Sequence, residues 1–240
     1  NVYAAMLVSF AVGMLAGLLT GVFHTFMGIP AILSGILTQL ILWSVNLKIM
    51  GKSNIGLSAR TFNVLVTQLK TNATLIVLAI ASILLIAALY WFFGTEFGAS
   101  IRATGSNINM SRAQGINTGL TTVFALVLSN GIVAFAGALL AQYQGAADIN
   151  MGKGAIVIGL AAVIIGQALV SVFPKNFAIM LFGVIVGGIV YYVVYQTIIF
   201  LGLDTDLLKM LSAVVVAIFL AVPYWKKKVF LKPKNVKEAK

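Results

Sequence analysis

Charge is what this 240-residue sequence has least of: Asp, Glu, Lys and Arg together make up 9% of it. A soluble domain carries about a quarter of its residues as these four types, so a water-soluble globular fold is excluded. Cysteine is absent, which rules out disulfides and thiol catalysis and leaves the redox compartment open. Histidine occurs once, as His24, with no acidic residue near it in the sequence. The five acids are Glu96, Asp148, Asp204, Asp206 and Glu238, all in loops or the tail. Metal-ligand spacings, paired catalytic carboxylates and nucleophile–base sets cannot be built from so few groups. Neither an enzyme nor a cofactor site is therefore expected. His24 reads as an interfacial polar residue, and Asp204 with Asp206 as a short polar turn. The phosphate-cradling loop G-x-x-x-x-G-K-[ST] is also missing, so a nucleotide would have to be hydrolysed by another chain.

Apolar length is what the sequence has in abundance: 61% of residues are hydrophobic and mean hydropathy is +1.07. A helix needs about 20 apolar residues to cross the hydrocarbon core, at about 1.5 Å of rise per residue. About seven such segments can be marked: Ala4 to Phe23, Ile32 to Ile49, Leu75 to Phe93, Leu120 to Ala141, Ala155 to Phe173, Phe177 to Leu201 and Leu207 to Tyr224. Short alternating strands, which a barrel would require, are not seen. The expected fold is all-α, a polytopic transmembrane helical bundle spanning residues 1–225, followed by a basic tail over 226–240. The chain starts at Asn1 and turns apolar at once, which suggests the interior of a longer protein. It has no basic n-region of a signal peptide.

The net charge of +11 is placed for a membrane and not for nucleic acid, since seven of the sixteen Lys and Arg fall between Lys226 and Lys240. A juxtamembrane basic tail favours the cytoplasmic side and anionic headgroups. With the tail inside, seven crossings put Arg102, Arg112 and Lys175 inside too. Lys48, Lys52, Arg60, Lys70, Lys153 and Lys209 then fall outside, a split of ten against six. The basic 51–72 loop fits this orientation least well.

No Asp, Glu, Lys or Arg stands at the middle of a segment, which weighs against a proton-coupled carrier. Neutral polar groups do stand there: Ser34, Gln39, Ser129, Asn130, Gln167 and Tyr195. These are candidates for lining a wet substrate path, and each can equally serve as interhelical glue. Gly183-x-x-x-Gly187 reads as a packing face. Met27-Gly28, Ala31-Ile32 and Gly35-Ile36 match Met151-Gly152, Ala155-Ile156 and Gly159-Leu160 at one spacing, with Ala16-Gly17 and Ala136-Gly137 upstream. Three apolar segments separate the two stretches, so they would enter from opposite faces. Two readings stand: an inverted repeat of the kind transporters use, or chance matches among small residues.

The region 94–117 carries the most information. Asn107 can cap a short helix running to about Gln114, and Gly115 can end it. Met110 and Ala113 then share a face beside Arg112, a form suited to docking in a partner's groove or to an ordinary amphipathic linker. The run T-E-F-G-x-x-I-R-A-T-G-x-N-x-x-M-x-R-A-x-G-I-N, Thr95 to Asn117, resembles the coupling region of ABC-importer permeases of the branched-chain amino acid/ribose type. M-G-I-P-A-I-L-S-G-I-L-T (Met27 to Thr38), A-F-A-G-A-L-L-A-Q-Y-Q-G (Ala134 to Gly145) and G-L-A-A-V-I-I-G (Gly159 to Gly166) are similar to that family too. Gln167 departs from it, standing where a second glycine often follows Gly166.

The resemblance implies a transmembrane permease of the bacterial cytoplasmic (inner) membrane, multi-pass and with a cytoplasmic C-terminus. Its implied partners are a cytoplasmic ABC ATPase, an extracytoplasmic substrate-binding protein and a second permease subunit, as a homodimer in the lipid bilayer. Its implied ATPase-coupling residues are Arg102, Ala103, Gly105, Asn107, Met110, Arg112, Ala113 and Gly115. The implied cargo is a small polar solute, an amino acid. Family members usually carry further apolar sequence before the point where this chain begins. Two rivals remain at this point: a stand-alone ion-coupled carrier, and a membrane scaffold without a path.

Overall fold

The computed structural model describes residues 1–57, 64–68, 71–152, 155–170 and 176–200, with the single positions 210 and 217. The seventh apolar segment, Leu207 to Tyr224, and the basic tail 226–240 lie outside the described residues, apart from those two positions. Chain contacts divide the protein into two compact units, Asn1–Met151 and Gly152–Lys240.

In the first unit, α1 (Val2–Thr25), α2 (Ala31–Met50), α3 (Thr71–Gly94) and α6 (Thr118–Gln144) are each long and apolar enough to cross a membrane. In the second, Phe177–Thr197 of α8 (Phe177–Phe200) meets the same test, while α7 (Ala155–Val170) is apolar but shorter. Large side chains such as Leu75, Ile76, Ile80, Ile83 and Leu84 stand more than half exposed along α3. Helices apolar on every side are stable only in an apolar surround, so lipid or further protein must cover them.

The tightest packing in the first unit joins α1 to α6. Gly13, Gly17 and Gly21 form one stripe at i, i+4, i+8, so they line a single face of α1. A Cβ at Gly13 would strike Ala134 and the Asn130 carbonyl, one at Gly17 the Leu126 carbonyl, and one at Gly21 would lie 3.0 Å from Val123. From the other side, a Cβ at Gly131 would come within 2.9 Å of Met14 and 3.0 Å of Phe10. Partner numbers fall along α6 as they rise along α1, so the helices run antiparallel. Lipid tails are as apolar as leucine, so close backbone approach and hydrogen bonds must hold such a pair together. Ser9 Oγ accordingly donates to the Ala134 carbonyl at 2.8 Å.

A hydroxyl contact fastens α2 to α1: Thr20 Oγ1 donates to Thr38 Oγ1 at 2.9 Å, and both residues are buried. His24 is more than an interfacial residue, because its Nδ1 lies 2.8 Å from the Ile29 carbonyl and staples the α1–α2 turn. Gly28, in that turn, has a φ of 68°, a left-handed conformation that glycine adopts without strain.

Two features depart from the sequence expectation. Residues 54–56 and 146–148 form strands β1 (Asn54–Gly56) and β2 (Ala146–Asp148), paired antiparallel with Ile55 opposite Ala147. This ribbon ties the end of α2 to the end of α6. Glu96, expected in a loop, instead opens a helix, α4 (Glu96–Ser106).

The second unit repeats close packing on its own scale. A Cβ at Gly166 would strike the Gly183 carbonyl, and one at Gly187 would strike the Ala162 carbonyl and Gly166. The Gly183–Gly187 spacing is therefore a packing face, and Gly166 makes the close approach although Gln167 replaces a second glycine. The two M-G stretches also share a local form, because α2 begins at Ala31 and α7 at Ala155, four residues after each Met.

Substituting Gly17→Ala should destabilise the protein by about 1–3 kcal/mol through overpacking, read as a lower unfolding midpoint in detergent. Gly137→Ala, where an added Cβ meets nothing within 4 Å, should be neutral or stabilising by up to about 1 kcal/mol from helix propensity.

Candidate coupling surface and path

The region expected to couple, 94–117, is built at one end of α6, where α3 stops. Thr95 ends α3 and starts α4: its Oγ1 accepts from the Gly98 amide at 3.2 Å, within hydrogen-bond distance of the Phe92 carbonyl (2.6 Å). A Cβ at Gly98 would strike the Phe92 carbonyl, so glycine is what lets α4 fold back against the last turn of α3. α4 then lies on α6. Phe97 meets Phe124 edge-on with ring centres 4.9 Å apart, and Thr104 Oγ1 lies 3.1 Å from Thr121 Oγ1 in a buried contact.

Asn107 works in both directions. Its amide donates to the Ala103 carbonyl at 3.0 Å and closes α4, while its Oδ1 accepts from Asn109 and Met110 at 3.1 and 3.0 Å and opens α5 (Ile108–Ala113). Gly115 follows with a φ of 78°, the left-handed residue that commonly terminates a helix. The expected helix from an Asn107 cap to a Gly115 stop is thus present. Ser111 is buried and bonds back to the Asn107 carbonyl at 3.0 Å. Arg112 Nε donates to Thr118 Oγ1 at 3.1 Å and fixes α5 to the first turn of α6. Asn117 caps that turn through the Leu120 amide at 3.1 Å.

Of the expected coupling residues, Arg102 and Gly105 are exposed on α4 and Ala103 is half-buried there. Asn107, Met110, Arg112, Ala113 and Gly115 are exposed on or beside α5. Met110 at 59% and Ile108 at 44% exposure give a six-residue helix two uncovered apolar side chains. All of them lie within residues 102–115, on or beside the consecutive helices α4 and α5.

The expected path residues are divided between the two units, Ser34, Gln39, Ser129 and Asn130 in the first and Gln167 and Tyr195 in the second. Ser34 is 1% exposed and donates to the Ala31 carbonyl of its own helix at 2.8 Å, the behaviour of a packing residue. Asn130 and Ser129 both bond to the Leu126 carbonyl, at 2.9 and 3.1 Å. Gln39 is exposed on α2. In the second unit Gln167 is exposed, and the Tyr195 ring lies edge-on to Tyr192 with centres 6.5 Å apart. Sequence reading also passed over two polar residues: Thr74, the one buried residue among those of α3, and Gln142, whose Oε1 accepts from the Leu65 amide at 3.0 Å. Their partners lie in an irregular stretch, so no periodic pattern marks them.

The family model for the branched-chain amino acid transport system / permease component matches residues 1–222. The chain belongs to this permease family. A tyrosine transport system permease protein of Clostridioides difficile (strain R20291) is 36% identical over 220 residues, covering 90% of this chain and 72% of the relative. An uncharacterized protein of Rickettsia prowazekii (strain Madrid E) is 30% identical over 195 residues, 80% of this chain and 69% of the relative. The autoinducer 2 import system permease protein LsrC of Yersinia pestis (strain Pestoides F) is 32% identical over 170 residues, 68% of this chain and 46% of the relative. No solved structure matches the chain. For this permease, family and membrane-spanning helices agree on transport across a bilayer.

Asn107→Ala removes the α5 cap and should cost about 0.5–2 kcal/mol locally. Faster hydrogen exchange at the Asn109 and Met110 amides, with the α6 amides unchanged, is the expected result.

Proposed function

We propose that this permease forms half of the path of an ATP-driven importer, and that the α4–α5 surface is where a cytoplasmic ABC ATPase takes hold. The observation that carries the proposal is α5 itself, a short helix capped by Asn107 and ended by Gly115 that exposes Met110 and Ala113. A helix offering a small apolar face suits a groove on a partner. α6 fixes it rigidly through Arg112, so a push on α5 is delivered to a helix that crosses the membrane.

The remaining parts of the reading follow from this arrangement. A substrate-binding protein delivers solute at the far end, and a second copy of the permease completes the path. The protein sits in the bacterial cytoplasmic membrane with its basic tail, 226–240, on the ATPase side. Gln39, Ser129, Asn130, Gln167 and Tyr195 offer neutral polar groups for a path, whereas Ser34 is better assigned to packing. The solute is a small polar one, an amino acid. Its support is the tyrosine transport permease, which covers 90% of this chain against 68% for the autoinducer 2 permease.

Gly105 provides a clean test, because an added Cβ there meets nothing within 4 Å. A bulky side chain would leave the permease's own fold intact and project into the ATPase's space. Gly105→Trp should reduce permease-stimulated ATP hydrolysis and uptake by about tenfold or more, the loss of one docked contact of about 1.4 kcal/mol or above. Gly115→Val, which needs a left-handed backbone, should do the same by distorting α5. Full ATP-driven uptake by both variants would remove the coupling assignment.

A further inference from the structure

Among the described residues α3 packs regularly only on α4, and an open, apolar groove separates it from α1 and α6. One part, of about 330 Å³, lies between α3 and α6 and is lined by Leu78, Leu85 and Ile132. Another, of about 480 Å³, extends to Met6 and Leu7 of α1. Ala81, Phe135 and Leu139 line both parts, so they adjoin. All three walls are helices long and apolar enough to cross a membrane, so the groove opens onto hydrocarbon. A membrane-crossing helix is a cylinder about 10 Å across and 30 Å long, about 2,400 Å³, which neither part approaches. A slender, flexible chain fits where a helix does not.

One end of the groove has the marks of a bilayer interface. Tyr3, in the first turn of α1, and Tyr143, in the last turn of α6, both line it there. Tyrosine favours the headgroup level, where its ring is apolar and its hydroxyl wet. The stretch that follows α2 is tied to the same end of α6: the Leu57 amide donates to the Gly145 carbonyl at 2.7 Å, and the Ile149 amide to the Ser53 carbonyl at 3.0 Å. Lys52, next to Ser53, and Lys48, in the last turn of α2, are both exposed there. The acid on this side, Asp148, is half-buried and accepts from the Asn150 amide at 2.6 Å.

The sequence around these lysines is one-sided in charge. Residues 48–72 hold Lys48, Lys52, Arg60 and Lys70 and no acid, with Arg60 and Lys70 outside the described residues. This is the stretch that fits the expected orientation least well, since cations are normally kept on the cytoplasmic side. Anionic headgroups attract juxtamembrane lysines, and such a lipid gives these cations a counter-charge at the membrane surface.

We propose that the groove between α1, α3 and α6 seats an acyl chain of an anionic phospholipid, with its headgroup at Lys48 and Lys52. The chain lies along Ala81, Phe135 and Leu139, and the glycerol level coincides with Tyr3 and Tyr143. Long lysine side chains reach the phosphate while their methylenes stay against the apolar end of the groove. The lipid fills the space that α3 leaves and joins it to the α1–α6 pair.

The test places the full chain in phosphatidylcholine vesicles doped with phosphatidylglycerol that carries a photoreactive group in its acyl chain. Crosslinks are then mapped by peptide mass spectrometry. Labelling at Ala81, Phe135 and Leu139 should exceed that at Ile83, which is 65% exposed on α3 but outside the groove lining, by about tenfold. It should also exceed labelling by the matching photoreactive phosphatidylcholine at least about tenfold, the size expected for two lysines near a charged surface. Lys48→Gln with Lys52→Gln should bring the two lipids to equal yield. Ala81→Trp should cut labelling at Phe135 and Leu139 about tenfold. Unchanged Ile83 labelling in each variant shows that the fold is kept. Equal labelling of groove and Ile83, or equal labelling by the two lipids in the parent, would overturn the proposal. So would an unlabelled groove, the result if a second copy or a further helix covers it.

Discussion

Everything in the first unit hangs on the contact of two backbones, α1 against α6 through Gly13, Gly17 and Gly21. Inside a bilayer there is no water to drive apolar faces together. Helices must instead meet through dispersion at short range, and that requires side chains small enough to let carbonyls and α-carbons touch. The glycine stripe supplies this along three turns, and the Ser9 and Thr20 hydroxyls add directional bonds beside it. Once α6 is fixed in this way, its two ends become fixed points for the rest of the unit.

One end of α6 holds the α4–α5 region through Phe124, Thr121 and Thr118. The other end carries the β1–β2 ribbon and, at Gln142, the 64–68 segment. On the proposed reading α6 is a rigid element with a docking helix at one end, which is what coupling across a membrane needs. It carries displacement without placing a charge in the hydrocarbon. On the proposed reading, energy enters from a separate ATPase, and the permease contributes only neutral hydrogen bonds and shape.

Much of this was legible in the sequence, and the limits have physical reasons. Long apolar runs announce themselves by length, and Asn107 with Gly115 by the chemistry of helix ends. The Gly183–Gly187 spacing named a packing face that the structure contains. The Gly13–Gly17–Gly21 stripe has the same signature and could have been read on the same grounds. α4 was hidden because its Thr, Ser and Gly residues are poor helix formers, and its stability comes from Phe97 and Thr104 packing on α6. The β ribbon and the Gln142–Leu65 bond join positions far apart in sequence, which no local pattern predicts. Path residues were the least legible, since a hydroxyl such as that of Ser34 can satisfy its own helix as readily as it can face a solute.

The central claim is that movement of solute by this permease is powered through a partner bound at the α4–α5 surface. The most direct measurement is solute uptake in sealed vesicles holding the full chain, with and without its ATPase and ATP, under imposed proton or sodium gradients. The account predicts uptake that requires ATP and the ATPase and is indifferent to either gradient. Gradient-driven uptake by the permease alone would contradict it.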